Sequence, residues 1–301
     1  MNICYNRTTH GGRKAGLNMR YKIGDVAKIL GISPDLLRYY EKKGVVKPVK
    51  DKNNDYRYYE SWDINFLIDC LWYKNFGFSI DQVATIVSKS SIADILGMME
   101  VKEGEIEASI RRQELLLRRA REHLEEVRRA KSLLGKCDLV FSPEIVRYLN
   151  RYNRLYDNSA ALQKLSQEWL RYMPLTHRCF EIEREDLQNK TENYAWGFSL
   201  SMDYVRELGV NVEGPVKLLP SEPSVHSVFK STGEDAFSPR YLKFLMDYVR
   251  ENELTVAGNA RGNLICSVLE GDQLTGYFEV WLPIEPKPGL EFANTSQEES
   301  T

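Results

Sequence analysis

Hydrophobic residues recur at helical spacing near the start of the chain, over residues 23–30, and a second short helical pattern follows Gly31. Ser33 suits the N-cap of this second helix, and Pro34 suits its first position, where a missing N–H costs nothing. Two short helices joined by a glycine-containing turn predict a helix-turn-helix. The second helix of such a pair can enter the major groove of DNA.

The longest periodic stretch predicts a helix over residues 99–134. Its seam positions alternate steps of four and three, as in the heptads of a coiled coil. They are Ile106, Ile110, Gln113, Leu117, Ala120, Leu124, Val127, Lys131 and Leu134. A helix this long and charged either packs its stripe against its own domain or forms a dimer. We expect a two-fold dimer, because isologous symmetry would match a palindromic operator.

Past Gly135 the pattern changes to two rounds of strand, helix, strand, strand. The first round is predicted at residues 145–155, 160–173, 178–185 and 194–201, and the second at 225–230, 240–252, 264–270 and 276–283. Strict alternation would put Tyr148 and Tyr152 on one face of the first strand, and Tyr277, Glu279 and Trp281 on one face of the last. This order suggests an internal duplication, although the two halves share no convincing identity.

Charge divides the chain in a similar way. Residues 20–136 hold 22 Lys and Arg against 18 Asp and Glu, whereas residues 137–301 hold 16 against 25. At 301 residues the chain is long enough for two cores. The asymmetry suggests that only the first half meets a polyanion, although ordinary surface charge would explain it too.

The cysteines, the hydropathy and residues 1–18 argue against a disulfide-bonded, metal-binding, membrane-spanning or secreted protein. The five cysteines form no CxxC pair and have no histidine at ligand spacing, so we expect a reducing, cytoplasmic location and no metal site or other cofactor. No apolar span could cross a membrane. Residues 1–18 are polar and lack the apolar core of a signal peptide, so they are predicted to be a disordered extension, with Met19 as an alternative start.

The helix-turn-helix region resembles the MerR family of transcription regulators. The resemblance rests on Arg38-Tyr39-Tyr40-Glu41, Gly44, Pro48 and Tyr56-Arg57-Tyr58-Tyr59, within a match over about residues 21–88. It implies a winged helix-turn-helix and DNA contacts from Ser33, Asp35, Leu36, Arg38, Tyr39, Tyr40, Lys43, Lys47, Tyr56, Arg57 and Tyr58. Asp35 departs from the family pattern, because an acidic side chain repels phosphate and can at best accept from a cytosine amino group.

Aromatic residues follow this motif on the next predicted helix. Trp62, Phe66, Trp72 and Phe76 could form a stacking platform for bases, but their helical spacing favours a place in the core.

The second half resembles the GyrI-like small-molecule-binding domain that some MerR-family multidrug regulators carry. The local matches are residues 193–199 and 277–283, which carry the sequences NYAWGFS and YFEVWLP. The resemblance implies a cation-recognising role for Glu279, in a site that would also contain Tyr148, Tyr152, Tyr194, Trp196, Tyr277 and Trp281. A carboxylate between aromatics is costly to bury alone, and a lipophilic cation would compensate it. Alternatively, Glu279 pairs with a nearby arginine or its face is solvated.

Together these features predict a non-enzymatic, ligand-responsive transcription regulator. The resemblance implies an antiparallel coiled-coil dimer that distorts promoter DNA and so acts on RNA polymerase indirectly. One alternative is a tethered small-molecule hydrolase that uses Glu279 with Tyr148, Tyr194 or Tyr277. Another is an effector-independent repressor.

The expected fold class is multidomain, α plus α+β. The predicted domains are the extension 1–18, a winged helix-turn-helix domain 19–98, a coiled-coil dimerisation helix 99–136, a duplicated βαββ effector domain 137–285, and a disordered tail 286–301.

Overall fold

The computed structural model describes residues 20–51, 56–232 and 237–293. The chain forms two compact units that divide between Arg111 and Arg112. The predicted extension over residues 1–18 lies outside the described residues. Within the described ranges, no helix is both long and apolar enough to span a membrane. The same ranges hold no group of three or more His, Cys, Asp or Glu residues that could bind a metal ion.

The first unit is a helix-turn-helix followed by a small sheet and a second helical pair. Its elements are β1 (Tyr21–Lys22), α1 (Ile23–Leu30), α2 (Pro34–Lys42), β2 (Val49–Lys50), β3 (Arg57–Tyr59), α3 (Ser61–Asn75) and α4 (Ile80–Lys89). The Leu36 N–H donates to Ser33 Oγ at 3.2 Å, so α2 begins as predicted. Gly31 adopts a positive φ at the end of α1, which allows the tight turn into α2. Strand β3 pairs with β1 and β2, both antiparallel.

The core of the first unit excludes most of the α3 aromatics. Trp62 and Trp72 are 68% and 65% exposed, so the expectation that they lie in the core is wrong. The buried residues of α3 are Ile64, Leu67 and Cys70, and both tryptophans lie on the other side of the helix. Of the other two α3-region aromatics, Phe66 is partly buried against the core and Phe76 is 37% exposed.

A single long helix, α5, runs from Ile92 to Ser132, so it begins before the predicted residue 99. Its start is set by Ser91 and Asp94. The Asp94 N–H donates to Ser91 Oγ at 3.2 Å, and the Ser91 N–H donates to Asp94 Oδ2 at 2.8 Å. Reciprocal capping of this kind satisfies donors that the first helical turn leaves unpaired.

The second unit is built on a nine-stranded antiparallel sheet. Its strands are β4 (Cys137–Phe141), β5 (Ile145–Tyr152), β6 (Leu155–Tyr156), β7 (His177–Ile182), β8 (Ala195–Ser201), β9 (Lys217–Leu219), β10 (Pro223–Thr232), β11 (Ala260–Glu270) and β12 (Gln273–Pro283). The spatial order is β4-β10-β12-β11-β7-β8-β5-β6, with β9 paired to β5. The sheet contains two similar groups of three strands, β10-β12-β11 and β5-β8-β7. In each group the strand that comes last in the chain lies between the other two. The two groups meet where β11 pairs with β7.

One face of this sheet is apolar and covered by helices. These helices are α6 (Ala160–Leu170), α7 (Arg184–Asn189), α8 (Met202–Leu208) and α9 (Lys243–Glu251). Phe278, Val280 and Leu282 of β12 belong to a cluster that includes residues of α9. A second cluster joins β5 and β8 to α6 and α8. The intervening β12 residues therefore lie on the opposite face, which carries most of the buried polar groups.

A β-bulge changes the first predicted strand. Leu149 pairs with Gly197 and Arg151 with the next residue, Trp196, so an extra residue interrupts the alternation of β5. Tyr148 lies opposite Phe198 and Tyr152 lies opposite Ala195. Phe198 and Ala195 are three residues apart, so they belong to opposite faces of β8. The expectation that Tyr148 and Tyr152 share a face is therefore wrong.

Part of the predicted C-terminal tail is ordered. The rings of Phe292 and Phe141 are 5.3 Å apart, and the Ala293 N–H donates to the Leu139 carbonyl at 2.9 Å. Residues 286–293 thus include contacts to β4, and residues 294–301 lie outside the described residues.

Candidate functional sites

Helix α2 presents cationic and aromatic side chains next to acidic ones. Arg38 forms an ion pair with Asp35, in which 57% and 86% of the two side chains are exposed. Lys43, just beyond the helix, lies 2.5 Å from Asp81 Oδ1 and 5.4 Å from the centre of the Tyr39 ring. The hydrogen bond to Asp81 raises the pKa of Lys43. This surface can bind phosphates, but two carboxylates compete for its cations.

The wing, formed by β2 and β3, is fixed to α2 through Glu41. The Arg57 Nε–H donates to Glu41 Oε2 at 2.8 Å, and the Tyr59 hydroxyl donates to Glu41 Oε1. Burial raises the pKa of Tyr59 above its usual value, and the bond to Glu41 adds to the effect. Tyr56 is 56% exposed and has the Lys22 ammonium 5.3 Å from its ring centre. Glu41 therefore sets the position of the wing relative to α2.

On the polar face of the large sheet, Glu279 has two cationic partners. It is 4% exposed, and its Oε1 accepts from His226 at 2.9 Å and from Arg129 Nε at 3.1 Å. His226 also bonds Asp138 at 2.9 Å, and its ring stacks on Trp281 with centroids 5.2 Å apart. The charge of Glu279 is therefore already compensated within the second unit.

His226 carries a proton at neutral pH. Burial alone would lower the pKa of His226, but its hydrogen bonds to Asp138 and Glu279 outweigh that effect and raise the pKa to about 9. Both ring nitrogens of the protonated imidazole donate, which fits the two carboxylates on either side.

The end of α5 covers part of the same face. Arg119 donates to both Glu126 oxygens, at 2.9 and 3.1 Å, and Glu126 also bonds His177 at 2.9 Å. Burial alone would raise the pKa of Glu126, but the bonds from His177 and Arg119 hold it well below its usual value. Ala130 packs nearby in a small apolar cluster with residues of β10 and β11.

Two further arginines lie buried on this face. Arg147 is 5% exposed and pairs with Glu181, and Arg261 is 6% exposed and bonds Ser142, Glu222 and a backbone carbonyl. Arg147, Arg261 and Trp281 line a cavity of about 10 Å³. That volume is close to the smallest that holds a single water molecule.

Comparison with known proteins decides the family. The family model described as "MerR family regulatory protein" matches residues 22–59. The transcriptional regulator YyaN of Bacillus subtilis is 30% identical over 127 residues, which cover 40% of this chain and 91% of YyaN. The chain belongs to the MerR family. It is therefore a DNA-binding transcription regulator, as its α2 and wing sequence predicts.

Other relatives and solved structures match different shares of this MerR-family regulator. CueR of Escherichia coli O157:H7 is 35% identical over 66 residues, which are 22% of this chain and 49% of CueR. The chain thus spans about half the length of that relative. A solved EcmrR–DNA complex shows 21% identity and a TM-score of 0.34, and the match covers 88% of this chain and 99% of that chain.

The residues that the sequence assigns to DNA binding do not all reach the surface. Tyr40 is fully buried and its hydroxyl has no partner among the described residues, so its assignment as a DNA contact is wrong. Its side chain fills the core because it lies on the same side of α2 as Leu37. Leu36 and Tyr58 are half-buried, whereas Lys47 is exposed.

The seven residues assigned to ligand binding are not brought together as one site. Tyr148 packs in the core against Trp169 and Phe198. Tyr194 and Trp196 pack against Phe237, and the Tyr277 hydroxyl donates to Glu270 at 2.6 Å. Tyr152 is 55% exposed. Of the predicted set, only Glu279 and Trp281 lie side by side around His226.

The acid–base set proposed for a hydrolase is not assembled in this MerR-family protein either. Among the described residues, no hydrogen bond joins Glu279 to Tyr148, Tyr194 or Tyr277.

The alternative that Glu279 pairs with an arginine is confirmed by Arg129, but the sequence did not identify which cations lie on the polar face. Arg129, Arg147, His226 and Arg261 come from α5 and three different strands, so no local spacing links them to Glu279. The one available signal was strand register. His226 lies opposite Trp281 on β10, and Arg261 lies opposite the same residue on β11.

Proposed function

We propose that this MerR-family transcription regulator acts as a homodimer that binds promoter DNA and responds to a small molecule bound by its second unit. The observation that carries the proposal is the division of α5 into two faces. One face packs against the sheet of the second unit through Arg119, Glu126 and Ala130. The other carries the heptad seam, whose Leu117 and Leu124 are 53% and 50% exposed.

An exposed seam of this kind favours pairing with a second copy of the chain. Burying a leucine side chain stabilises an association by roughly 1.5–3 kcal/mol. Packing against the sheet does not compete with the dimer, because it uses the other side of the helix. Two copies related by a two-fold axis, with antiparallel α5 helices, would present two α2 helices to a palindromic operator.

The proposed output is a change in the shape of promoter DNA. An effector that binds one state of the protein–DNA complex more tightly shifts the complex toward that state. Twisting and bending the duplex then realigns the promoter elements that RNA polymerase reads, at the cost of deforming the DNA.

The proposed effector site is the polar face of the sheet, where the two strand trios meet, as in a GyrI-like domain. The sequence favoured a lipophilic, cationic effector bound to Glu279. Because Arg129 and His226 already compensate Glu279, such a cation would have to displace Arg129, whose side chain is 46% exposed. Exchange with Arg129 would couple effector binding directly to α5.

Calorimetry on an Arg129→Gln variant tests this exchange. Removing Arg129 should strengthen binding of a lipophilic phosphonium cation and leave binding of its neutral carbon analogue unchanged. A cation affinity that falls or stays constant would place the cation away from Glu279.

We propose a binding role and no catalysis. Glu279 accepts from Arg129 and His226, which favours a charge-compensated carboxylate over a free general base. Ligand turnover by the full chain would favour the hydrolase.

Selection of bound duplexes from a random DNA pool tests the regulator itself. The expected result is an inverted repeat bound by two protein chains, as measured by sedimentation of the complex. Recovery of a single unrepeated site bound by one chain would contradict the dimer and leave DNA binding intact.

A further inference from the structure

The outer side of α2 carries three charged residues in a row. Asp35, Arg38 and Lys42 are exposed, and their spacing of three and four residues places them on one side of the helix. Leu37 and Tyr40 lie on the other side, in the core. In a helix-turn-helix the N-terminal residues of the second helix contact the edges of the bases. Asp35 is the second residue of α2 and Arg38 is the fifth, so these two are the charged residues nearest to the bases.

The ion pair between Asp35 and Arg38 leaves part of each group for DNA. Arg38 Nη1 donates to Asp35 Oδ1 at 2.5 Å, which restrains the guanidinium. This bond uses one of the five guanidinium donors and one of the two carboxylate oxygens. The Nε–H and Nη2–H of Arg38 remain as a fork that fits the O6 and N7 acceptors of guanine. That contact is the commonest specific contact of arginine in the major groove.

The second oxygen of Asp35 favours one base over the others. A carboxylate can only accept hydrogen bonds, so it requires a donor on the base edge. In the major groove guanine and thymine present acceptor atoms, and adenine presents its amino group next to the N7 acceptor, which repels a carboxylate. Cytosine presents the N4 amino group alone. Cytosine is therefore the base that suits Asp35 best.

An outward carboxylate at this position increases discrimination between sequences. Asp35 is 86% exposed, in contrast to Glu41, which is 13% exposed and fixes the wing through Arg57. Asp35 repels the phosphates of every duplex and so lowers the affinity for all of them. It lowers the affinity least where a base amino group lies opposite, and a site can gain specificity by disfavouring the wrong partners in this way.

We propose that Asp35 and Arg38 form one recognition unit that selects a guanine and, in the adjacent base pair, a cytosine. Side chains three residues apart on a helix are separated by about 5–6 Å at Cβ, and stacked base pairs by about 3.4 Å, so the two side chains can reach neighbouring pairs. The inference deepens the proposed function by specifying the DNA partner. It rests on DNA binding by α2 and does not require the dimer or the effector.

Selection from a random DNA pool by the full chain, followed by anisotropy titrations, tests the proposal. The enriched motif should contain the adjacent guanine and cytosine. Replacing either base in the consensus duplex should weaken binding roughly tenfold. Base preference is measured as a ratio of affinities within one protein, because a change in net charge alters the affinity for all duplexes alike.

Three variants at exposed positions assign the two bases. Asp35→Asn should change the preferred base from cytosine to adenine, because an amide can accept from N6 and donate to N7 of adenine. Arg38→Ala should remove the preference for guanine. Lys42→Gln is the matched control at the other end of the helix. It should weaken binding to all duplexes by a similar factor and preserve both base preferences.

Two results would overturn the proposal and reduce the ion pair to a surface contact. One is a consensus without the adjacent guanine and cytosine, and the other is an Asp35→Asn variant that keeps the preference for cytosine. A pool without any enriched motif would overturn it together with sequence-specific binding. An unrepeated site that contains both bases would support this base recognition and contradict only the dimer, so the two failures are distinguishable.

Discussion

Two arginines of the predicted DNA-binding surface, one on α2 and one on the wing, have acidic partners in the folded protein. Arg38 pairs with Asp35, and Arg57 pairs with Glu41. A DNA phosphate must compete with these carboxylates, so the net gain per contact is smaller than a count of cations suggests. The two pairs differ in exposure, since the side chain of Glu41 is 13% exposed and that of Asp35 is 86% exposed.

Neutralising Asp35 should strengthen DNA binding. The Asp35→Asn change frees Arg38 and removes a charge that repels phosphate, so affinity should rise roughly fivefold, equivalent to about 1 kcal/mol. Stability should hardly change, because exposed ion pairs contribute little. Fluorescence anisotropy at several salt concentrations measures both the affinity and the salt slope.

A matched control is available in the second unit. Asp203 and Arg206 form the same exposed pair, three residues apart on α8. Asp203→Asn makes the same change in net charge and should leave DNA affinity unaltered. Equal gains for both variants would mean that net charge, and not the position beside Arg38, controls binding.

His226 should make the second unit sensitive to alkaline pH. Because the pKa rises to about 9 on folding, the stabilisation is complete below the ordinary value near 6.5 and is lost as pH rises through 9. The loss should be on the order of 3 kcal/mol, measured by urea unfolding at pH 6.5 and 9.5. His226→Gln should be less stable at pH 6.5 and show a flatter profile. If wild type and variant lost equal stability, another group would be responsible.

Among the elements, helix α5 has two sides of different character. The side that faces the sheet carries buried Arg119 and Glu126, and the seam side carries Leu117 and Leu124. Hydrophobic periodicity alone describes only the seam. In the sequence the buried charges of the other side resemble a solvated surface. In the fold Arg119 pairs with Glu126 of the same helix, and Glu126 also bonds His177 of β7.

Charging the seam should dissociate the proposed dimer. The double variant Leu117→Glu, Leu124→Glu would bury four unpaired carboxylates per dimer, which is costly. Sedimentation velocity should show a monomer with unchanged helical content.

The control for the seam variant is Arg111→Gln, Arg112→Gln. It produces the same change in net charge at exposed positions outside the seam and should remain dimeric. A seam variant that stays dimeric would place the interface elsewhere.

At the scale of the whole molecule, dimerisation should determine how DNA is read. A dimer on a palindromic operator neutralises phosphates at two half-sites, so its affinity falls steeply with salt. The monomeric seam variant should bind full and half operators with similar affinity, and its salt slope should be about half that of wild type. Titrations of labelled full-site and half-site duplexes measure this. Equal salt slopes for wild type and variant would show that DNA binding does not require two paired protein chains.

The sequence by itself determined the features that depend on local chemistry. The Ser33 cap, the Gly31 turn and the heptad seam follow from the preferences of residues close together in the chain. The same holds for the alternation that places Tyr277, Glu279 and Trp281 on one face of β12.

Only the tertiary structure decided which side chains meet. The bulge in β5 moved Tyr152 away from Tyr148, and the orientation of α3 left Trp72 exposed while Tyr40 of α2 became core. Glu279 bonds Arg129 of α5, which lies 150 residues earlier in the chain, and His226 of the neighbouring strand β10. Strand order and register bring these groups together, and register depends on the packing of the whole sheet, so no local pattern could reveal that the carboxylate already had its counter-charge.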